Sequence, residues 1–207
     1  MLPSSLRLRV LCLLLGVSIV LPIGTADLVD GPIHVPDPVA DALPRPRPEL
    51  PTVDIPTEWR CTNWSSLTNG QGSCVHSSCV MLLRWMELHE LAEWWRQSYS
   101  GGEYSDRMHQ KLTAAGIQFA ATTNGDIAFL EWAVRTRRGA CITINNAAHM
   151  VCLVHLDESR VGILDNNHTD RIDWHRRAEF LQAWQSSPAP WAFTLVYNPP
   201  PASPWKR

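Results

Sequence analysis

The sequence lacks several features that would assign it to a common functional class. It has no excess of positive charge, because 18 lysines and arginines stand against 20 aspartates and glutamates, for a formal net charge of −2. Nucleic-acid-binding domains usually present a basic face, so this balance argues against a nucleic-acid partner. The chain also has no internal repeat and no apolar run as long as the about 20 residues that span a bilayer. A repeat array and a typical membrane-spanning protein are therefore disfavoured.

Compact pairs of metal ligands are also scarce. Cys74 with His76, and Asn167 with His168, are the closest candidates, and both spacings are weak signals for a metal site. We therefore expect neither a metal nor an organic cofactor.

Residues 1–26 have the pattern of a secretory signal peptide. Arg7 and Arg9 give a positive start, residues 10–23 form a short apolar stretch, and residues 24–26 are small. The pattern predicts export to a secreted, periplasmic or cell-surface location, with no stable membrane span after cleavage. An uncleaved anchor is the alternative interpretation.

The remaining chain divides into three parts. Residues 27–57 contain eight prolines, which fix φ and remove amide donors, so we predict an extended linker or a propeptide-like segment there. Residues 58–198 have the size of one folded domain. Residues 199–207 form a short, proline-containing tail.

The predicted exported part contains an odd number of cysteines. They are Cys61, Cys74, Cys79, Cys141 and Cys152. At least one thiol therefore has no partner within the chain. Cys79 and Cys152 lie in apolar runs and are expected in the core, whereas the pairing of Cys61 stays open.

Cys74 stands where a loop becomes a helix. Gly72 permits a tight turn, and Ser73 is a candidate cap for the first helical amides. From Val75 the apolar residues recur at helical spacing as far as Met86. A thiol in the first turn faces unpaired N–H groups and the positive end of the helix dipole, which favour the thiolate. Cys74 is therefore a candidate nucleophile.

The order of elements predicts an α+β fold. Helical signals dominate the first half of the domain and strand signals the second, so an N-terminal helical part should pack on a C-terminal antiparallel sheet. We predict helices over about 74–86, 88–97, 103–115, 127–137 and 175–185. We predict strands over about 117–121, 140–145, 149–156, 160–165 and 191–197.

A base for Cys74 is available at the start of a predicted strand. His149 opens an apolar strand, and Asp165 closes the next strand after a short turn at residues 157–159. Antiparallel pairing would make the two side chains neighbours, so that Asp165 orients the imidazole. Of the other histidines, His76 should point away from the thiol, and His89 and His109 should be solvated.

These residues resemble those of papain-like cysteine peptidases, and most closely the branch of bacterial double-glycine leader peptidases and their stand-alone relatives. That branch begins its helix with Cys-Gly-Pro-Ala-Ser-Leu-Ala-Met-Val-Leu, and residues 74–83 align with it in register. Its His-Trp-Val-Val-Val strand is matched at residues 149–153. Its Asp or Asn follows about sixteen residues later, at Asp165. The resemblance covers roughly residues 68–198.

The resemblance implies a papain-like fold and hydrolysis of peptide or protein substrates through a thioester acyl-enzyme. Cys74 would be the nucleophile, His149 the base and Asp165 the orienting acid, with Asn166 or Asn167 as alternative orienting residues. The family places an oxyanion-hole glutamine six residues before the cysteine, where this chain has Thr68. Gln71, three residues before Cys74, is the candidate replacement.

Two other functions use the same fold. The same three residues could transfer the acyl group to an amine, as in transglutaminase-like enzymes. Alternatively, the absence of the usual glutamine is consistent with a papain-like binding domain of weak or no activity, with its ten tryptophans in the core and the groove.

Overall fold

A computed structural model describes residues 50–66 and 71–199 of the chain. The predicted signal peptide, most of the proline-rich segment, Thr68 and nearly all of the tail lie outside the described residues.

The described part of the chain begins with helices. A short 3-10 helix at Thr57–Trp59 precedes α1 at Cys74–Trp85, α2 at His89–Ser98 and α3 at Ser105–Ala114. Helix α1 is buried on nearly all sides, at residues 75–83, as expected for a helix at the centre of a domain. Gly116, at φ 67°, follows α3 in the left-handed conformation that glycine adopts without strain. All three helices match the predicted ones within two residues.

The second half forms a sheet with two further helices. Among the described residues the sheet has six strands, all paired antiparallel, in the order β1-β6-β2-β3-β4-β5. The strands are β1 Phe119–Thr122, β2 Ala140–Ile144, β3 His149–Leu156, β4 Arg160–Leu164, β5 Asp173–Arg176 and β6 Ala192–Leu195; the helices are α4 Ile127–Arg135 and α5 Arg177–Gln185. This architecture confirms the predicted α+β class.

The sheet is covered on both faces. Along β3, Met150, Cys152 and Val154 pack with α1, whereas Val151 and Leu153 pack with α4 and α5. The alternation follows from the twofold period of a strand, and it explains why β3 reads as a continuous apolar run. Helix α1 therefore lies on one face of the sheet, with its first residue near the end at which β3 begins.

One strand was not predicted and the last helix starts two residues late, whereas the remaining bounds agree with the prediction within two residues. The structure has an edge strand, β5, at residues for which we predicted a loop and the start of the last helix, so His175 lies in β5. Its side chains are mostly exposed and polar, so the alternation that reveals a half-buried strand is absent. Asp126, in contrast, caps α4 as the helix-start signal indicates, and its carboxylate accepts the N–H groups of Ala128 and Phe129.

The proline-rich segment contributes to the core at its C-terminal end. Val53 and Ile55 are at most 1% exposed, and the Val53 N–H donates to the Val154 carbonyl over 2.9 Å. The structure therefore differs from the predicted linker in this part of residues 27–57. The apolar residues between Pro51 and Pro56 pack beside the part of β3 that lies beyond its pairing with β2, and the packed unit begins before residue 58.

The cysteines of the described residues are all unpaired. Cys79, Cys141 and Cys152 are fully buried, which confirms the predicted core position of Cys79 and Cys152. Within the same residues, no helix is both long and apolar enough to cross a membrane.

Candidate active site

Cys74 is the first residue of α1, and the loop before it is held from two sides. The Ser73 N–H donates to the Trp64 carbonyl over 2.8 Å. The prediction that Ser73 caps the helix is wrong, because its hydroxyl accepts the Gly101 N–H over 2.8 Å instead. A Cβ at position 72 would lie 2.9 Å from Asn63 Nδ2, so a side chain there would displace the Asn63 amide. The thiol itself is half-buried.

His149 enters the site from the first position of β3. It follows a four-residue connection in which Asn145, Asn146 and Ala147 all have φ between 52° and 65°. Its direct partner across the ladder is Ile144. The β3–β4 register pairs Cys152 with Leu164, and one further step would set Asp165 opposite Val151, diagonal to His149. The sheet thus brings His149 and Asp165 to the same end.

The side chains of His149 and Asp165 are hydrogen-bonded. His149 Nε2 lies 2.8 Å from Asp165 Oδ1, and both side chains are largely buried, at 13% and 17% exposure. The same carboxylate oxygen accepts the Asn167 N–H over 2.8 Å, which fixes its orientation. Because Nε2 faces the carboxylate, Nδ1 is the nitrogen that is left to face Cys74.

Cys74 and His149 shift each other's proton affinity. Burial raises the pKa of the Cys74 thiol, but hydrogen bonds from His149 and from the Met150 and Val75 amides outweigh it, so that the pKa lies below its ordinary value. Burial lowers the pKa of His149, but its hydrogen bonds to Cys74 and Asp165 raise it above the ordinary value. Both shifts favour a thiolate beside an imidazolium.

Asn166 and Asn167 occupy different positions around this pair. Asn166 is fully buried and its Nδ2 lies within 3.2 Å of the Cys74 carbonyl, the Ser78 hydroxyl and the Met150 carbonyl. It therefore ties α1 to β3 and does not contact the imidazole. Asn167 Nδ2 lies 3.3 Å from His149 Nε2, and its Oδ1 accepts from Asn63 Nδ2 over 3.1 Å. The two amides hold the loop after β4 against the loop before α1.

Gln71 lies on the loop before α1 and is exposed. Its backbone carbonyl accepts the Ser66 N–H over 2.8 Å, and its Oε1 lies beside Gly102, 3.6 Å from where a Cβ on that glycine would be. The side chain therefore stands at the edge of the loop that also carries Gly101. Thr68, the position of the family's glutamine, lies outside the described residues.

His76 is buried on the side of α1 away from the site. Its Nδ1 accepts the Trp95 indole N–H over 3.2 Å, and its ring stacks on Tyr99. Nε2 lies 3.7 Å from a Glu103 carboxylate that Lys111 engages. Burial, reinforced by the Lys111 charge, lowers the pKa of His76 to about 3. The imidazole is therefore a neutral part of the core.

Two further features of the structure, one of them outside the site, were not apparent from the sequence. His109 is half-buried rather than solvated, and burial lowers its pKa. Asn63 packs on Gly72 and bridges to Asn167, although no motif surrounds it. Its neighbours along the chain carry no periodic pattern, so only the fold could reveal its contacts.

Comparison with known proteins supports the fold and little more. No family model matches the chain, and no curated protein matches it. A solved structure of a protein from Bacillus anthracis, provisionally named a C39-like peptidase, superimposes with a TM-score of 0.52 and 16% sequence identity. The match covers 73% of this chain and 98% of that one. At this identity the likeness establishes a shared papain-like α+β fold.

Proposed function

We propose that this chain is a papain-like cysteine peptidase that hydrolyses peptide bonds through Cys74, His149 and Asp165. The observation that supports this most strongly is the hydrogen-bonded series from the Cys74 sulfur through the imidazole to the Asp165 carboxylate. A nucleophile, a base and a group that orients the base stand in contact at one end of the sheet, as covalent catalysis requires. The fold shared with a C39-like peptidase is consistent with this activity.

In the first half of the reaction the Cys74 thiolate attacks the carbonyl carbon of the scissile bond. The lowered pKa of Cys74 and the raised pKa of His149 both favour transfer of the thiol proton to the imidazole, which supplies the thiolate. The protonated imidazole then donates its proton to the leaving amine as the C–N bond breaks. A thioester and a free amine result.

In the second half His149, now neutral, takes a proton from water as the water oxygen attacks the thioester carbon. The C–S bond then breaks, which releases the acid product and restores the Cys74 thiolate beside the protonated imidazole. Asp165 holds the imidazole in one tautomer and stabilises its charged form in both halves. The oxyanion would be held by the Cys74 backbone N–H at the start of α1 and by the Gln71 amide. This assignment gives Gln71 the role that the family's glutamine has six residues before the cysteine.

We also propose that the chain is exported and is nearest in type to stand-alone leader peptidase-like enzymes. The support comes from the sequence, namely the signal-like residues 1–26 and the register of residues 74–83 with that branch. Mass spectrometry of the mature N-terminus of the secreted protein tests the export proposal, with cleavage after residue 26 as the expected result.

Substitution of the nucleophile tests the proposed activity. Wild-type protein should release new N-termini from a degenerate peptide mixture and should be inactivated by the epoxide E-64. The Cys74→Ala protein should lose at least about a thousandfold of this activity, because no other thiol replaces the nucleophile.

Cys61→Ala is the matched control, since Cys61 is buried outside the site and should be dispensable for turnover. Full hydrolysis by Cys74→Ala, or indifference of the wild type to E-64, would rule out the proposed mechanism. Addition of a primary amine to the same reaction identifies any acyl transfer by the mass of the product.

A further inference from the structure

A cavity of about 250 Å³ lies between α5 and the sheet, on the face opposite α1. We call it the α5 cavity. Its walls are mainly apolar and its rim is polar. Its lining includes Ile144, Asn145, Asn146, Ile163, Ala183 and Trp184.

The α5 cavity adjoins the proposed catalytic histidine. Ile144, which lines it, is the direct cross-strand partner of His149, and side chains so paired lie on the same face of a sheet. Ile163, which also lines the cavity from the sheet, lies in β4 two positions before Asp165, and this spacing favours the same face for both side chains. The wall formed by Ile144 and Asn145 therefore lies next to His149 in the β2–β3 ladder, on the sheet face away from helix α1, although His149 and Asp165 are not themselves lining residues.

The loop at the mouth of the α5 cavity is held in a costly conformation. Asn145, Asn146 and Ala147 have φ values of 52°, 55° and 65°, and the first two line the cavity. Left-handed backbone is disfavoured for a residue with a Cβ, particularly for alanine. This conformation turns the chain from Ile144, which lines the cavity, into His149.

The chemistry of the α5 cavity suits an uncharged, apolar occupant. Among the described residues that line it there is no aspartate, glutamate, lysine or arginine, and His175 is the one residue with an ionisable side chain. Burial of a charge would therefore go uncompensated. Its volume lies below the 300–1,000 Å³ that is typical of small-molecule sites, so it suits a single large side chain.

We infer that the α5 cavity binds a large apolar side chain, such as leucine or phenylalanine, from the leaving-group segment of a peptide substrate. The inference rests on the proposed function. His149 must reach the leaving amine to protonate it, so the leaving segment passes over the imidazole towards Ile144. A side chain on that segment enters the α5 cavity and selects the cleavage position.

Two variants of helix α5 test this assignment. Ala183→Trp fills the α5 cavity from its rim, whereas Ala178→Trp places the same side chain on an exposed part of α5 outside the cavity lining. Wild type and both variants are incubated with a degenerate decapeptide mixture, and the released fragments are sequenced by mass spectrometry. In parallel, the mixture is captured on Cys74→Ala protein with and without Ala183→Trp, so that binding is measured without turnover. Thermal unfolding of each variant verifies its fold.

Wild type and Ala178→Trp should prefer leucine or phenylalanine over glycine at one leaving-side position by about tenfold or more, the effect of burying one such side chain. Ala183→Trp should lose this preference in the cleavage arm and in the capture arm. The assignment would be overturned if wild type and both variants showed the same residue preference at the leaving-side positions. It would also be overturned if the captured peptides were not enriched in apolar residues. Failure of the proposed function gives a different result, because wild type then cleaves nothing while the capture arm still reports on the α5 cavity.

Discussion

At the scale of single residues, the pKa of His149 depends on the carboxylate beside it. Hydrogen bonds from the imidazole to Cys74 and Asp165 overcome the effect of burial and raise that pKa. The thiolate–imidazolium pair exists only above the pKa of Cys74 and below that of His149. The proposed activity should therefore fall on both the acidic and the alkaline side of its optimum.

Asp165→Asn should narrow this pH range from its alkaline side. The amide carries no negative charge, so the pKa of His149 falls. The decline of kcat/KM on the alkaline side should therefore begin at a lower pH. The maximal rate should fall by roughly tenfold to a hundredfold, the value of one hydrogen bond to a charged group. A pH–rate profile measures both effects. Asp173→Asn, on the exposed strand β5, should leave the profile unchanged, and an unshifted alkaline limb in Asp165→Asn would contradict the orienting role.

His76 should make folding sensitive to acid. Its pKa is about 3 in the folded chain, because burial and then the Lys111 charge lower it, and about 6.5 when unfolded. The unfolded state therefore binds the proton first. The stability due to neutral His76 is complete above about pH 6.5 and declines as the pH falls towards 3, by up to about 1.4 kcal/mol per pH unit.

Denaturant unfolding at several pH values compares wild type with His76→Gln. At neutral pH the variant should be less stable than the wild type, since the Trp95 N–H loses its imidazole acceptor. Its free energy of unfolding should lack the decline with falling pH that is due to His76. Parallel slopes in the two proteins would show that another group causes the acid sensitivity.

At the scale of elements, the β2–β3 connection combines strain with function. Ala147 has φ 65°, a conformation that costs a residue with a Cβ about 1–2 kcal/mol. Ala147→Gly should therefore raise the free energy of unfolding by about 1 kcal/mol, after the greater freedom of glycine in the unfolded chain is subtracted.

The adjacent Ala148→Gly is the matched control for that prediction. Ala148 does not have positive φ, so glycine there should destabilise by about 0.5–1 kcal/mol. Chemical denaturation of both variants measures the two changes. Destabilisation of similar size in both would contradict the assigned strain.

Most elements could be predicted because their burial imposes a period on the sequence. Helix α1 and strands β2 to β4 carry continuous or periodic apolar residues, and their bounds differ from the predicted ones by at most one residue. Strand β5 is an exposed edge strand whose polar residues show no such period. A serine directly before a helix is a common cap signal, which led to the prediction for Ser73. Its hydroxyl instead accepts the N–H of Gly101, which is distant in the sequence.

The sequence could indicate that Cys74, His149 and Asp165 lie near one another, because apolar patterns mark the elements that carry them. Each lies at the end of an element with a clear pattern, so the order of elements brings the three ends together. Asn63 and Asn166 contact the site from irregular loops, and their partners are set by long-range packing. No local pattern records such contacts.

At the scale of the whole molecule, the packed unit includes a piece of the proline-rich segment. Ile55 is 1% exposed and packs in the same core as α1. Ile55→Ala should destabilise the protein by about 2–4 kcal/mol, as expected for a large-to-small change in a core. Leu50→Ala, at a residue that is 51% exposed, should change stability by less than about 0.5 kcal/mol. Equal, small effects in thermal denaturation would mean that this segment is only a linker.

The central claim is that His149 activates Cys74 as a thiolate. Its most direct test is the rate of iodoacetamide alkylation at each cysteine between about pH 5 and 9, mapped by mass spectrometry, in wild type and His149→Ala. The account predicts that Cys74 reacts faster than Cys61, Cys79, Cys141 and Cys152, at a pH well below the about 8.5 of an ordinary thiol. In His149→Ala its profile should return towards that of an ordinary thiol. A Cys74 that reacts only near pH 8.5, with the same profile in both proteins, would contradict the account.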